Sequence, residues 1–279
     1  MEEETRLQPP EDLRSVIEQS QSIGTALYQN DRVSAIGTDV MLANVCAPKE
    51  RGIAEYLTFR QCDENGRALD SWEVTFFSAG DPSHALCRVR VPTQSGAAPE
   101  FAVLDPPTPI SDDTQRMIRA RRTALAAIGP IVQPQNPVIL PGQAIGKDGI
   151  LVYLLAGSTR NDVVVFGKHH RVLLSSDGET VVSVEPLSKT VLEVPLESPP
   201  GVAAVGLPYV THLVTAWPLE THVFVSLLHQ MPIYVGTSRG NWVVDGAKIS
   251  LLPEPESPDP TPGSSRPAAA RKPWWRRFW

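Results

Sequence analysis

The sequence ILVYLL, residues Ile150 to Leu155, is a continuous apolar run in the middle of the chain. A run of this length without polar alternation is typical of a strand that is buried on both faces. We therefore predict a core strand here, and we take it as the beginning of a β-rich domain over residues 150–252.

The remainder of this second half alternates between apolar segments and polar, glycine-containing turns. Ser176–Glu179 and Asp245–Ala247 have the composition of tight hairpin turns, which predicts mostly antiparallel strands. The predicted strands are Asp162–Ser175, Val181–Val194, Tyr209–Ala216, Glu220–Leu227, Ile233–Thr237, Trp242–Val244 and Lys248–Leu252.

The first half begins with a helical pattern and continues as strands. Apolar residues follow helical spacing from Asp12 to Ala43, with Asn30-Asp31 as a break, so one bent helix and a helical hairpin fit equally well. Strands at Ile53–Cys62 and around residues 72–76 and 87–91 then predict an antiparallel meander with one polar face.

A second helix is predicted from Ser111 to Ile128, with Ser111 as its N-cap. Gly129-Pro130 is a helix-ending signal, and the Pro- and Gly-rich residues 130–149 read as a connection. The predicted fold class is therefore α+β. Its parts are a disordered N-terminus over residues 1–10, an α+β domain over 11–129, the connection, the β-rich domain and a disordered tail over 253–279.

The formal charge of the chain separates into an acidic body and a basic tail. The chain carries a net charge of -6, and the residues from Pro253 onward hold five Lys or Arg against three Asp or Glu. The tail is therefore +2 and the body -8. An acidic body does not favour nucleic acid as a partner, because phosphate binding requires a clustered positive field.

Targeting and redox signals are few. The three cysteines are Cys46, Cys62 and Cys87, an odd number without C-x-x-C spacing, so they predict neither a disulfide framework nor a zinc site. The N-terminus is acidic and no secretory apolar region follows it. We therefore expect a cytoplasmic protein, with peripheral attachment to the inner membrane as a further expectation.

The C-terminal tail has the most distinctive composition in the chain. A proline-rich spacer from Pro253 to Pro262 is expected to be extended and semi-rigid. It leads to a run in which aromatic and basic residues are interleaved, a pattern suited to an anionic membrane interface or to the groove of a protein partner. Folding back onto the body is the third interpretation. The residues of this run are Arg271, Lys272, Trp274, Trp275, Arg276, Arg277, Phe278 and Trp279.

Five segments resemble landmarks of an uncharacterised bacterial protein family that has no assigned activity. The resemblance covers roughly residues 20–252 and implies a bacterial origin without implying a reaction. The segments are Arg121–Ala127, Asn136–Pro141, Val152–Ala156, Gly167–Val172 and Glu220–Phe224.

Histidines are the main candidates for chemistry in the body, because five of the six lie in its second half. His169, His212 and His222 are the candidate metal ligands, since metal sites use histidine and adjacent strands can bring ligands together. No H-x-x-x-H, H-E-x-x-H or H-x-H spacing accompanies them. A histidine that shares a strand face with valine or phenylalanine is more often a hydrogen-bonded core residue, so we predict no metal site.

Other catalytic patterns have little support. Glu185, Glu193 and Glu220 lie on predicted strands, where two of them could act as general acid and base only if the fold brought them together. No G-x-S-x-G or G-x-G-x-x-G motif occurs, and Gly142–Asp148 departs from the Walker spacing. We therefore expect no cofactor, and the catalytic residues of any enzyme remain undetermined by the sequence.

Two functional hypotheses follow. The first is a non-enzymatic binding or adaptor protein of bacterial type, peripherally attached through the aromatic-basic tail to an anionic membrane surface or a protein partner. The alternative is a hydrolase, in one form metal-dependent, that uses histidines of the β-rich domain.

Overall fold

The computed structural model describes residues 6–254, except for residues 79, 81, 95, 132, 159 and 161 and the segment 196–207. The predicted tail, including the aromatic-basic run and the disorder expected for it, lies outside the described residues. The described chain has an α+β fold with a long N-terminal helix, antiparallel sheets and two further α-helices, as the sequence predicted.

The N-terminal helix α1 is a single continuous helix, Arg14–Asn44, preceded by the 3-10 turn Glu11–Leu13. It therefore adopts the single-helix arrangement and not the hairpin. Ile17 and Leu27 of its first half pack into the core of the β-rich half, whereas Val33 and Met41 pack against the meander. The two-domain division stays a prediction, and α1 contacts elements on both sides of it.

The meander consists of β1 Ile53–Cys62, β2 Ala68–Ser78, β3 His84–Pro92 and β4 Glu100–Pro109 in the order β1-β2-β3-β4. The sequence predicted the first three strands and missed β4. That strand contains Pro106, Pro107 and Pro109, and proline is tolerated at a sheet edge because an outward-facing residue there needs no ladder hydrogen bond. α1 covers one face of the sheet.

Helix α2, Asp112–Ala127, fills the space between the meander and the β-rich half. The Ser111 side chain accepts a hydrogen bond from the Thr114 N–H, which confirms the predicted N-cap. Ile118 packs into the second face of the meander, which is therefore only partly polar. Ala120 and Ala124 pack on the opposite side, against strands of the β-rich half.

The apolar run ILVYLL forms β6, Ile150–Ala156, and is buried on both faces as predicted. Leu151, Tyr153 and Leu155 face one core cluster, whereas Val152 and Leu154 face another. Its sheet has the order β5-β6-β8-β9, with β5 Gln135–Pro141, β8 His170–Leu174 and β9 Val181–Pro186. Strand β5 thus lies within the residues that the sequence assigned to a connection.

Two smaller groups of strands complete the fold. β7 Val163–Phe166 pairs with β10 Leu192–Pro195. β11 Tyr209–Thr211, β12 Ile233–Thr237, β13 Gly240–Asp245 and β14 Lys248–Leu251 form a sheet in that order, antiparallel except for the parallel β11–β12 pair.

One strand prediction was wrong. The segment Glu220–Leu227 is not a strand but the beginning of helix α3, Glu220–His229. Every residue from Glu220 to Ser226 is buried, so no polar face reveals the helical period. The predicted strand Tyr209–Ala216 was too long, because strand pairing ends at Thr211 and the chain then turns toward α3.

Candidate functional site

The three candidate histidines line one inner cavity of about 100 Å³. His169 lies between β7 and β8, His212 directly follows β11, and His222 lies in the first turn of α3. The fold therefore brings together three histidines from three separate parts of the chain. No spacing between them in the sequence predicts this convergence.

His169 is the deepest of the three, with 3% of its surface exposed. Its Nδ1 accepts a hydrogen bond of 2.9 Å from the Ala156 N–H, so the ring proton resides on Nε2. Nε2 is buried and has no hydrogen-bond partner among the described residues. Burial, with a smaller contribution from the neighbouring His170, lowers the pKa of His169 to about 4. At neutral pH it is an uncharged ring with one unused donor.

His222 is also uncharged at neutral pH. Its Nδ1 accepts a 3.0 Å hydrogen bond from the Leu219 N–H and thereby caps the beginning of α3, which leaves the proton on Nε2. Burial, with a smaller contribution from the adjacent His212, lowers its pKa to about 3. The rings of His212 and His222 meet edge to face, with 4.8 Å between their centroids.

His212 orders the loop between β11 and α3. Its Nε2 lies 3.2 Å from the donating Thr215 N–H and 2.9 Å from Thr215 Oγ1. Thr215 Oγ1 also donates to the Trp217 carbonyl over 2.6 Å. Burial lowers the pKa of His212 to about 4. The hydrogen bonds of this ring therefore have a structural role, and they fix one wall of the inner cavity.

Beside the cavity, a buried ionic network attaches α3 to the sheet. Glu220 Oε1 accepts hydrogen bonds from the Tyr153 hydroxyl over 2.7 Å and from Arg171 Nη1 over 3.0 Å. Arg171 Nη2 donates to Glu185 Oε2 over 2.6 Å. Burial and the Glu220 carboxylate raise the pKa of Tyr153. For Arg171, burial lowers the pKa, but Glu220 and Tyr153 outweigh it and the net shift is upward.

An outer groove of about 870 Å³ adjoins the inner cavity. Both are bordered by residues 187–190, which follow β9, and by Leu213 and Val214. The exposed Lys189 lines both spaces, and the exposed Lys168 lines the outer groove. The backbone at Lys168 has a φ of +59° and its N–H donates to Ser188 Oγ over 3.0 Å. A non-glycine residue in this region is uncommon, and it turns the chain from β7 into β8.

The rim of the groove is apolar. Leu213 is 67% exposed, and Leu192 and Val214 are each 41% exposed. All three line the inner cavity, so its mouth combines exposed aliphatic side chains with the Lys189 cation. Apolar surface that borders a concave site is a recurring property of ligand-binding pockets.

The donor set does not fit a metal centre. Within the described part of the chain, no three or more His, Cys, Asp or Glu side chains are placed so that they could hold a metal ion together. The Nδ1 atoms of His169 and His222 already accept backbone hydrogen bonds. The two rings can offer only Nε2, which is protonated in this state. No carboxylate is among the described residues that line the inner cavity.

The acidic residues that the sequence suggested as a general acid and base have another role in the structure. Glu185 and Glu220 are brought to one place, but both bind Arg171. Glu193 lies apart from them on β10. The sequence did not identify Arg171, Tyr153, Lys168 or Lys189 as site residues, although the segments Val152–Ala156 and Gly167–Val172, which carry the family resemblance, contain the first three of them. The predicted tail contacts from Arg271 to Trp279 lie outside the described residues.

Comparison of the chain with known protein families, with curated protein sequences and with solved structures found no match. The resemblance to a bacterial family therefore stays a prediction. Among the described residues, no helix is long and apolar enough to cross a membrane.

Proposed function

We propose that this protein is a non-enzymatic binding protein of bacterial type that receives a small ligand in the inner cavity and outer groove. The observation that carries the proposal is the uncharged state of His169, whose buried Nε2–H has no partner among the described residues. A buried donor without a partner costs about 1–3 kcal/mol. A bound acceptor would remove that cost.

The composition of the cavity favours binding over catalysis. General acid–base catalysis at neutral pH requires a group whose pKa lies near 7. The pKa values of His169, His212 and His222 all lie well below this range. Ser188 is a possible nucleophile by residue type, but its Oγ accepts from the Lys168 N–H and no described histidine hydrogen-bonds to it.

The aromatic-basic tail supplies the second part of the proposal, which is attachment to an anionic membrane surface in the cytoplasm. Three of the six tryptophans lie in the last six residues, among cationic residues, whereas the body has no excess of positive charge. Tryptophan partitions to the bilayer interface, and each nearby Arg or Lys adds about 1 kcal/mol of attraction to an anionic leaflet. The described body ends close to β14, where Leu251 pairs with Leu7 through two backbone hydrogen bonds.

Sedimentation with liposomes tests the attachment. The intact chain should co-sediment with vesicles that contain phosphatidylserine, and deletion of residues 273–279 should abolish this. A variant of equal length in which these residues are replaced by Gly and Ser is the matched control for tail length. Unchanged sedimentation of the deleted protein would reject membrane attachment, and pull-down of a protein partner by the tail would support the docking alternative.

The second candidate is a hydrolase, in one form metal-dependent, and it is favoured by the convergence of three histidines in one cavity. Turnover of ester and phosphoester substrates, measured for the intact chain and for a His222→Asn variant, separates the two functions. Metal analysis of the purified protein accompanies it. Turnover that the variant lacks, or stoichiometric zinc, manganese or iron, would replace the binding proposal with this one.

A further inference from the structure

The inner cavity and the outer groove together specify the chemistry of the ligand, and this inference rests on the binding function proposed above. We propose that the site takes a small monocarboxylate with an apolar body, whose carboxylate lies in the inner cavity and whose body lies along the aliphatic rim.

Size limits the part of the ligand that enters the inner cavity. A cavity of about 150 Å³ holds one benzene molecule. The inner cavity has about 100 Å³ and therefore holds a group of about four heavy atoms, which is a carboxylate with its adjoining carbon. The larger outer groove, which borders the same residues 187–190, holds the remainder of the molecule.

The deep end offers hydrogen-bond donors. The Nε2–H of His169 has no partner among the described residues. Its ring lies between Ala156, to which Nδ1 is bonded, and the inner cavity. The proton of His222 is likewise on Nε2, since its Nδ1 accepts from Leu219.

The beginning of helix α3 adds a favourable field. Thr221 and His222, in the first turn of this ten-residue helix, line the inner cavity. The N-terminal end of a helix carries a partial positive charge that stabilises an anion near it. The unpartnered, 97%-buried His169 also lines the inner cavity and is independent of the helix.

The charges that line the inner cavity favour a ligand with a single negative charge. Lys189 is the only cation among the described residues that line the inner cavity, and no carboxylate lines it. The histidines contribute donors without charge, because burial holds each pKa at about 4 or below. One cation with neutral donors suits a monoanion better than a phosphate, which carries close to two charges at neutral pH.

The rim selects the apolar body. Leu192, Leu213 and Val214 are exposed side chains at the mouth of the cavity, and burial of aliphatic surface contributes about 25 cal/mol per Å². A ligand that extends from the cavity along these residues would cover them. A free fatty acid and an amino-acid derivative with an apolar side chain share this chemistry.

Calorimetric titration with submicellar octanoate tests the inference, with octanamide as the neutral analogue of the same apolar body. Octanoate should bind the intact chain at least about tenfold more tightly than octanamide, which corresponds to one charge-assisted hydrogen bond. N-acetyl-leucine is the parallel ligand, and its binding relative to octanoate identifies which source of carboxylate the groove prefers. Equal binding of octanoate and octanamide, or no binding of either carboxylate, would overturn the inference.

Three variants, one of them a control, assign the binding to the groove. His169→Asn retains an acceptor for the Ala156 N–H and removes the Nε2 donor, so it should lose at least about tenfold in octanoate affinity. Lys189→Met should also weaken octanoate binding, whereas Lys49→Met, at an exposed position on another part of the surface, should not. Unaltered affinity in both His169→Asn and Lys189→Met would overturn the inference even if octanoate bound the chain elsewhere, for example at the tail.

The same variants separate failure of the inference from failure of the proposed function. Hydrolysis of p-nitrophenyl octanoate by the intact chain and not by His222→Asn would overturn both. Binding of octanamide as tight as that of octanoate, without turnover, would overturn only the carboxylate assignment. Long-range ¹H–¹⁵N correlation of the histidine rings should show that octanoate shifts the His169 Nε2 resonance in the intact chain, and an unshifted resonance would contradict the assigned position.

Discussion

Gly24 of helix α1 lies directly against Val223 of helix α3, at a distance that leaves no space for a side chain. A Cβ built on Gly24 would be 2.5 Å from the Val223 Cβ and 2.6 Å from the Glu220 carbonyl oxygen. The first turn of α3 carries His222 and Glu220, so this contact sets how α1 supports the candidate site. Gly37 makes an equivalent contact with Val74 of the meander.

Gly24→Ala should therefore destabilise the protein even though alanine favours helices. Alanine improves helix propensity by about 1 kcal/mol, but overpacking costs about 1–3 kcal/mol and here involves backbone as well as side-chain atoms. We expect a net loss of up to about 2 kcal/mol in the free energy of unfolding, measured by urea denaturation. Gly80→Ala is the control, because its Cβ would meet nothing closer than 4.0 Å. Equal stability of the two variants would contradict the close contact.

The ionic network gives a second prediction, concerning Arg171. Glu220 is 2% exposed and its carboxylate relies on Arg171 and Tyr153. Arg171→Met should cost about 3–5 kcal/mol in the free energy of unfolding, because it leaves a buried charge without its ion-pair partner. Adding Glu220→Gln removes that charge and should restore part of the loss. A double variant that is no more stable than Arg171→Met alone would show that the network does not act in this way.

The sequence predicted the elements in which local pattern and burial agree. The ILVYLL run of β6 is buried on both faces, so its uniform polarity could be read directly. Ser111 and the two aspartates after it mark the start of α2 by capping chemistry that needs no tertiary information. These signals are local, and the structure confirms both.

The elements that were missed depend on tertiary position. Helix α3 is buried around its first two turns, and the Val223–Val225 run then looks like a strand. Strand β4 contains prolines that only an edge position permits. The convergence of His169, His212 and His222 depends on both the helix and the loop that follows Thr211. The residue types were identified from the sequence, but their common cavity could not be.

Acid should destabilise the protein through the buried histidines. Their folded-state pKa values of about 4 for His169 and His212 and about 3 for His222 lie below the ordinary 6.5. Between pH 6.5 and 4 the unfolded state therefore binds more protons, and stability rises with pH. The contribution of these histidines to stability is complete above pH 6.5. It is lost as pH falls toward 4, by roughly 1–2 kcal/mol per histidine at pH 5.

Urea denaturation between pH 7 and 4.5 measures this dependence. Arg171, Glu220, Lys168 and His170 also surround the site, so the comparison between variants is more informative than the wild-type curve. His222→Asn should reduce the slope of stability against pH, whereas His84→Asn, at an exposed position, should leave it unchanged. Identical slopes in the three proteins would mean that His222 does not contribute to the dependence of stability on pH.

We expect salt to weaken the affinity of the tail for a membrane, because the cations contribute by electrostatic attraction. The aromatic rings contribute by interfacial partitioning, which is a separate effect. Replacing Arg271, Lys272, Arg276 and Arg277 by Gln removes about 4 kcal/mol of attraction to an anionic leaflet, at about 1 kcal/mol for each cation. Co-sedimentation with phosphatidylserine vesicles should be lost in this variant. In the intact chain it should decrease as salt is raised from 50 to 300 mM, since the Debye length shortens below about 10 Å.

The matched variant replaces the three tail tryptophans, Trp274, Trp275 and Trp279, by alanine and keeps the charges. Interfacial partitioning of the rings is then removed, while electrostatic attraction remains. This variant should bind more weakly at every salt concentration and keep the salt dependence of the intact chain. Because the body carries a formal charge of -8, the repulsion that it adds should also fall with salt. Binding of the charge-retaining variant that increases with salt would therefore show that electrostatic repulsion of the body by the membrane exceeds attraction of the tail. The tail would then require its tryptophans to hold the protein at the surface.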